Sequence, residues 1–462
     1  MITVIDRVAV STVDAAGTEH LHGHVVVDGD TIVSVGSGPA PARTGPHTYV
    51  DGSGCLVTPG LVNTHHHLYQ WATRGFAQDA TLFEWLTELY PVWRGLDAGV
   101  THAAASAGLA RLAVTGCTTA ADHHYVFPRE GGDQFEALVS AGRRIGIRLH
   151  AVRGSMDRGR SHGGLPPDNL VEETEAALTA TEKAIDEHHD PARDALVRVA
   201  VGPCSPFSVS PELMTGAAEL ARRKGVRLHT HLAETVDEEE QCLAENGCTP
   251  TEYAERLGWL GDDVWLAHTV HLSGDAVRRL GATSTGSAHC PTSNGRLGTG
   301  IAPVRDLLDA GAPVGLGVDG AASNEDGGLV AELRQSVMQA RQRGGPKAMT
   351  FRQALWLGTM GGARCLGRQD EIGSIEPGKL ADLALWRLDG VDHAGMADPV
   401  AALVFGPQPP LKLLLVGGRT VVSDNELRTA PADDLARELR TASAKLMTED
   451  PLAGSSIPGG SR

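Results

Sequence analysis

His65 and His67 stand two residues apart in the run NTHHHL. Along an extended chain alternate side chains leave on the same side, so His65 and His67 face one way and His66 the other. Two neutral imidazoles at that spacing form a chelate for a borderline-soft divalent ion such as zinc. A polar loop after a strand would give the same letters. The pattern recurs in VRLHTHLAE, where His229 and His231 share a face and Glu234 follows three residues after His231. A carboxyl at a site entrance can move protons once partial burial lifts its pKa toward neutrality. Glu234 equally suits the acidic opening of a helix. The acids behind it, Asp237, Glu238, Glu239 and Glu240, read as a solvated helix face. His268 ends the run DVWLAHT, where a lone histidine is ordinarily a satisfied core residue. Asp319 ends PVGLGVDG, a run otherwise free of charge, and a carboxylate there calls for a metal or a cationic partner.

These residues gain weight from the segments that carry them. Apolar runs at 60–67, 116–125, 147–154, 196–207, 226–234, 263–270, 285–294 and 313–320 alternate with helical stretches such as AGVTHAAASAGLARLAVTG and SPELMTGAAELARRKG. Strand–helix alternation implies a parallel sheet, and eight such units fit a (β/α)8 barrel. A doubly wound open sheet has the same periodicity and is the second reading. The barrel is favoured because the runs end in polar, reactive residues: His65 and His67, His123 and His124, Arg153, Cys204, His231, His268, His289 and Asp319. In a barrel all strand C-termini meet on one face, where active sites lie.

The ends of the chain have another texture. GHVVVDGDTIVSVG is a hairpin signal, and LKLLLVGGRTVV near the C-terminus is a second one joined at Gly417–Gly418. Residues 1–58 and 372–430 are therefore expected to form one small β-sandwich domain. Residues 59–371 are expected to form the barrel, and 431–462 a helix followed by a flexible tail. A formal net charge of -17 disfavours nucleic acid or an anionic membrane as partner. No apolar run reaches the length of a membrane span, and the N-terminus lacks a signal-peptide pattern. Seven dispersed cysteines without CxxC pairs suggest reduced thiols in a cytoplasm.

TPGLVNTHHHL, LHTHLAET, LAHTVHL and GLGVDGAASN together resemble the amidohydrolase superfamily, in its deaminase branch acting on aromatic heterocycles. The resemblance spans almost the whole chain, including IGSIEPGKLADLALW, which looks like a typical return into the small β domain. It implies a (β/α)8 barrel with one divalent metal, zinc or iron, held by His65, His67, His231 and Asp319. The segment LVRVAVGPCSP has no lysine, whereas two-metal members bridge their ions with a carboxylated lysine at that place. NTHHHLYQWATRG, VRGSM, GPCSPFSVSPELM and HCPTSNGRLGTGIAPV look most like the 8-oxoguanine deaminases. Thr292, Gly295 and Thr299 depart from the usual form of the last motif, in a loop near the substrate.

The resemblance implies that Asp319 orients a water and takes its proton, that Glu234 protonates the ring nitrogen, and that His268 stabilises charge on the attacking oxygen. Deamination of 8-oxoguanine to uric acid and ammonia is the expected reaction. Isocytosine, guanine and s-triazine chemistry are alternatives, and a barrel that binds without catalysing is a third reading. Gln70 can pair with both a donor and an acceptor edge of a purine. Arg153 is expected to receive a carbonyl oxygen. Cys204 is expected to pack on the ring or to be a small buried side chain, and Trp71 to stack on the ring or to pack the loop. His289 is expected beside the substrate or behind a ligand. His123 and His124 are read as a loop feature or a pocket wall. FAQDATLFEWLTELYPVW is expected to fold over the site as a partial lid, and a homo-oligomer is what the resemblance suggests.

Overall fold

The computed structural model describes residues 1–42 and 44–448. Its centre is a closed ring of eight parallel strands. They are β1 (Leu61–Asn63), β2 (Cys117–His124), β3 (Arg148–Ser155), β4 (Val197–Pro203), β5 (Leu228–Leu232), β6 (Val264–His268), β7 (Gly286–His289) and β8 (Val314–Leu316). Their runs of Val, Leu and Ala are buried on both faces, as a barrel covered by helices requires. The expected (β/α)8 architecture is present, and the open-sheet reading falls because β8 pairs with β1.

Each strand supplies one inner and one outer set of side chains. Val62, Ala121, Val152, Ala200, Trp265 and Ala288 pack together inside the barrel floor. On β3 the alternate residues Leu149 and Ala151 face outward and join the core between barrel and helices. Beyond β1 the ladder is interrupted at Thr64 and His65. It resumes as a two-residue pairing of His66–His67 with Asp319–Gly320 above the barrel rim. Gly317 permits this crossing, because a Cβ there would lie 2.7 Å from the His65 Cβ.

The two ends of the chain build a single nine-stranded sheet. Cys55–Pro59 joins its halves, running parallel to Ile2–Ser11 and antiparallel to Leu383–Arg387. Ile5, Val25, Ile32, Val57, Leu383 and Leu415 share one apolar core, which makes the β-sandwich expected from the termini. The Gly417–Gly418 hairpin closes with both residues at positive φ, 53° and 70°. The helix Ala432–Thr448 turns Leu435, Ala442 and Leu446 inward, and Glu438 pairs with Arg144 at 2.6 Å. The tail expected to be flexible lies, from residue 449 on, outside the described residues. Among the described residues no helix is long and apolar enough to cross a membrane.

Sheet and barrel are fastened by one buried ion pair. Arg148 at the start of β3 binds Asp382 through two bonds, of 2.7 and 3.0 Å, and gives further bonds to the carbonyls of Asp194 and Ala195. Asp382 also accepts from Gly417 N at 2.7 Å, so both charges are well partnered. Removing one member strands the other in a dry interior. Arg148→Met is expected to cost about 3–5 kcal/mol, read as a lower urea midpoint, and the pair Arg148→Met/Asp382→Leu should recover much of it.

Candidate active site

Three histidines converge at the C-terminal mouth of the barrel, each with its Nδ1 committed. His67 Nδ1 donates to the His123 carbonyl at 2.7 Å, and His231 Nδ1 donates to the Cys204 carbonyl at 2.6 Å. His229 Nδ1 donates to the Trp265 carbonyl at 2.8 Å, so its Nε2 is a lone pair. His65 Nδ1 lies 2.8 Å from that lone pair and must carry the proton. The remaining nitrogens of His65, His67 and His231, all Nε2, are therefore lone pairs. Burial holds all three imidazoles below their ordinary pKa, so protonation does not relieve the crowding.

His67 Nε2 and His231 Nε2 are 3.0 Å apart with no proton between them. Asp319 Oδ1 lies 3.3 Å from both His65 Nε2 and His67 Nε2. Donors held about 2.0–2.1 Å from a tetrahedral zinc lie roughly 3.3 Å from one another. His65, His67 and Asp319 form one close trio of possible ligand atoms, and His231 joins through His67 and His65. The four residues fit a divalent cation, and the crowded lone pairs call for one.

Asp319 is held on its other side. Ser293 Oγ donates to Asp319 Oδ2 at 2.6 Å, and Ser323 Oγ approaches the same oxygen at 3.3 Å. Burial pushes this carboxyl up, and the positive charge of His268 pulls it back down. His268 Nδ1 faces Asn294 Oδ1 at 3.0 Å, while its Nε2 stands 3.5 Å from Glu234 and 4.0 Å from Asp319. Burial opposes its charge, yet those two carboxylates win and lift its pKa. Burial pushes Glu234 up to about 7, against the pull of His268. Ala233, His268 and Asp319 are all in left-handed backbone, at φ 54°, 71° and 61°. For non-glycine residues this costs free energy, and it recurs where strand ends aim catalytic side chains.

Above these groups lies a small cavity that opens to solvent. Gln70, Tyr125 and Cys204 form its wall. Both amide atoms of Gln70 are buried without a well-formed hydrogen bond, with the Tyr69 hydroxyl beside them. Its position depends on Gly320, where a Cβ would fall 1.7 Å from Gln70 Oε1. The Cys204 thiol is pushed by burial up to about 12 and stays neutral. Leu82, Trp85, Leu86 and Tyr90 roof the cavity from the helix Leu82–Trp93, where the lid was expected.

Three expected substrate contacts lie elsewhere. Arg153 leaves the outer face of β3, gives two 2.7 Å bonds to Glu172 and stacks on Phe127. Trp71 turns from the cavity, and its Nε1 donates to His66 Nε2 at 3.2 Å. His289 follows the inward Ala288 on β7 and so points outward, and it does not line the cavity. His66 is buried behind the site, as expected from alternation. His123 stacks on His231 with ring centroids 4.9 Å apart, whereas His124 faces outward and bonds the Val126 carbonyl. Glu238 is not on a solvated face but 2% exposed, bonded to the amides of Ala233 and Glu234. Sequence reasoning passed over Tyr125, although it shares the face of His123 two residues before it.

The His65 tautomer rests on His229. Groups that fix a ligand's tautomer from behind are worth about 10–100-fold in metal affinity. His229→Phe is expected to weaken metal retention by about that factor in a chelator competition, with the fold intact by circular dichroism.

The comparisons agree with this geometry. Residues 56–421 match the model of the amidohydrolase family. The chain is 45% identical over 438 residues to 8-oxoguanine deaminase from Pseudomonas aeruginosa, covering 94% of this chain and 96% of that protein. It is 36% identical to an isoxanthopterin deaminase from an unknown prokaryotic organism, covering 91% of each. Among solved structures, atrazine chlorohydrolase TrzN from Arthrobacter aurescens TC1 complexed with zinc superposes with a TM-score of 0.90 at 33% identity, covering 96% of this chain and 100% of that one. Family match, barrel and histidine cluster lead to one conclusion: the chain belongs to the amidohydrolase family, as a metal-dependent aminohydrolase.

Proposed function

We propose that the site deaminates an aminated purine-type ring, converting 8-oxoguanine to uric acid and ammonia. The observation that carries this reading is the under-satisfied Gln70 amide, a buried donor and acceptor facing the cavity beside Glu234, His268 and Asp319. A buried amide without well-formed hydrogen bonds is costly, and the edge of a ring with adjacent carbonyl and N–H groups satisfies both atoms. Similarity to 8-oxoguanine deaminase supports the choice of ring.

His65, His67, His231 and Asp319 would hold one divalent ion, zinc or iron, which when bound supplies Lewis-acid activation of water. Asp319, with Oδ2 fixed by Ser293, orients the attacking water and accepts its proton. Glu234, raised by burial to about 7, keeps a protonated fraction near neutral pH and gives that proton to the ring nitrogen next to C2, which makes C2 electrophilic. His268 donates a hydrogen bond to the incoming oxygen. The water oxygen bonds to C2, Asp319 passes the proton it took to the amine, the C2–N bond breaks and ammonia leaves, and the proton of the new hydroxyl returns to Glu234 as the carbonyl forms. Leu82, Trp85, Leu86 and Tyr90 exclude bulk water above the ring, and the neutral Cys204 thiol packs against it. Seven unpaired, buried thiols fit a reducing cytoplasm.

The same machinery would serve guanine, isocytosine or an s-triazine, and the 33% identity to an atrazine chlorohydrolase keeps that reading open. A panel of these rings with 8-oxoguanine, scored by ammonia release, decides between them. Uric acid from 8-oxoguanine as the best reaction supports the proposal, and faster turnover of another ring overturns the choice of substrate. Glu234→Gln is expected to keep its metal and to lose roughly 10²–10⁴-fold in kcat. The pH dependence follows in sign. Glu234 loses its proton as pH rises through about 7, and a nearby cation would lower that value. kcat/KM should therefore fall on the alkaline side, with the limb at or below about 7.

A further inference from the structure

We infer that Glu238 is a positioning residue, whose carboxylate locks the turn after β5 and so sets the approach of Glu234 to His268. This rests on the proton-carrying role proposed for Glu234. Thr235 caps the helix Val236–Asn246, accepting from Glu238 N at 3.2 Å. In a capping box the acid three residues on would return to the amide of the cap residue itself. Here the carboxylate reaches further back. Oε1 accepts from Ala233 N at 2.9 Å and Oε2 from Glu234 N at 2.8 Å.

The turn is clamped on its other side too. The Ala233 carbonyl accepts from the amides of Val270 and His271, both at 2.9 Å, and the Leu232 carbonyl accepts from Thr269 N at 3.1 Å. Those donors belong to the turn after β6, which begins with His268 and Thr269 at φ 71° and 48°. Two left-handed turns thus brace each other, one presenting Glu234 and the other His268. Glu238 supplies the acceptors that keep the first turn from relaxing. Its burial makes the bonds hard to replace with water, since only 2% of the residue is exposed. The groups that bear electrically on Glu234 are His268, Asp319 and Glu238 itself, and Glu238 in turn faces His268 and His271. Because Glu238 raises the proton affinity of Glu234, losing its charge should move the alkaline limb to lower pH.

Glu238→Gln keeps the size of the side chain but leaves one backbone N–H without an acceptor. Three readouts are expected on the full-length, metal-loaded protein. Amide exchange in the peptide spanning 232–239, measured without substrate, should quicken by about tenfold or more. Metal content should stay at the wild-type value. kcat on the best ring of the panel should fall about tenfold or more with KM within about threefold, and the alkaline limb should move down. Glu238→Asp keeps the charge but is too short to reach both amides. It should quicken exchange and lower kcat without moving the limb, and it carries the test if Glu238→Gln does not fold. Wild-type exchange, or wild-type kcat with an unmoved limb in Glu238→Gln, overturns the inference. An active Glu234→Gln would instead overturn the proton role on which it rests, so the two failures are distinguishable.

Discussion

Three imidazole lone pairs and a carboxylate oxygen are linked by contacts of 3.0–3.3 Å in a buried pocket. Their protons are already assigned elsewhere, to the carbonyls of His123 and Cys204 and to His229. Such a cluster is repulsive by itself, and burial denies it the usual remedy of protonation. A cation removes the conflict. Much of the local architecture serves to hold this arrangement: the break in the ladder after β1, the glycine just after β8 that makes room for His65, and the two serines that hold Asp319.

The same logic extends outward in layers. Below the histidines, Trp265 stacks on His229 at 4.5 Å and gives its Nε1 proton to the Thr64 carbonyl at 3.0 Å, joining β6 to β1 beneath the site. Beside Asp319, the buried Glu332 accepts from Thr292 N and Asn324 Nδ2, tying the loops that carry Ser293 and Ser323. Above, Trp85 Nε1 donates to the Ala322 carbonyl at 3.2 Å, which fastens the roof helix to the loop after β8. Each contact joins segments distant in sequence, so the geometry of the mouth depends on barrel closure.

Much of this is legible in the sequence, for a physical reason. The period of two along a strand shows that His65 with His67, and His229 with His231, share a side, and the lone charge at the end of the apolar run PVGLGVDG singles out Asp319. What alternation cannot show is which side faces the axis when both faces are buried. Arg153, His289 and His124 lie at strand ends like the residues that line the mouth, yet their neighbours Val152, Ala288 and His123 hold the inner face. Trp71 sits one residue after Gln70 on a helical turn, where the neighbour points elsewhere. Glu238 was misread because an acidic run looks solvated. The Thr235-x-x-Glu238 spacing was the available signal, and it marks the one acid of the run that the helix start needs.

Anomalous diffraction from crystals of the metal-loaded protein tests the central claim most directly. The account predicts one strong peak per chain, about 2.0–2.2 Å from the Nε2 atoms of His65, His67 and His231 and from Asp319 Oδ1. A peak coordinated by His66 or His123, or metal-soaked crystals with no peak among these four residues, would contradict it.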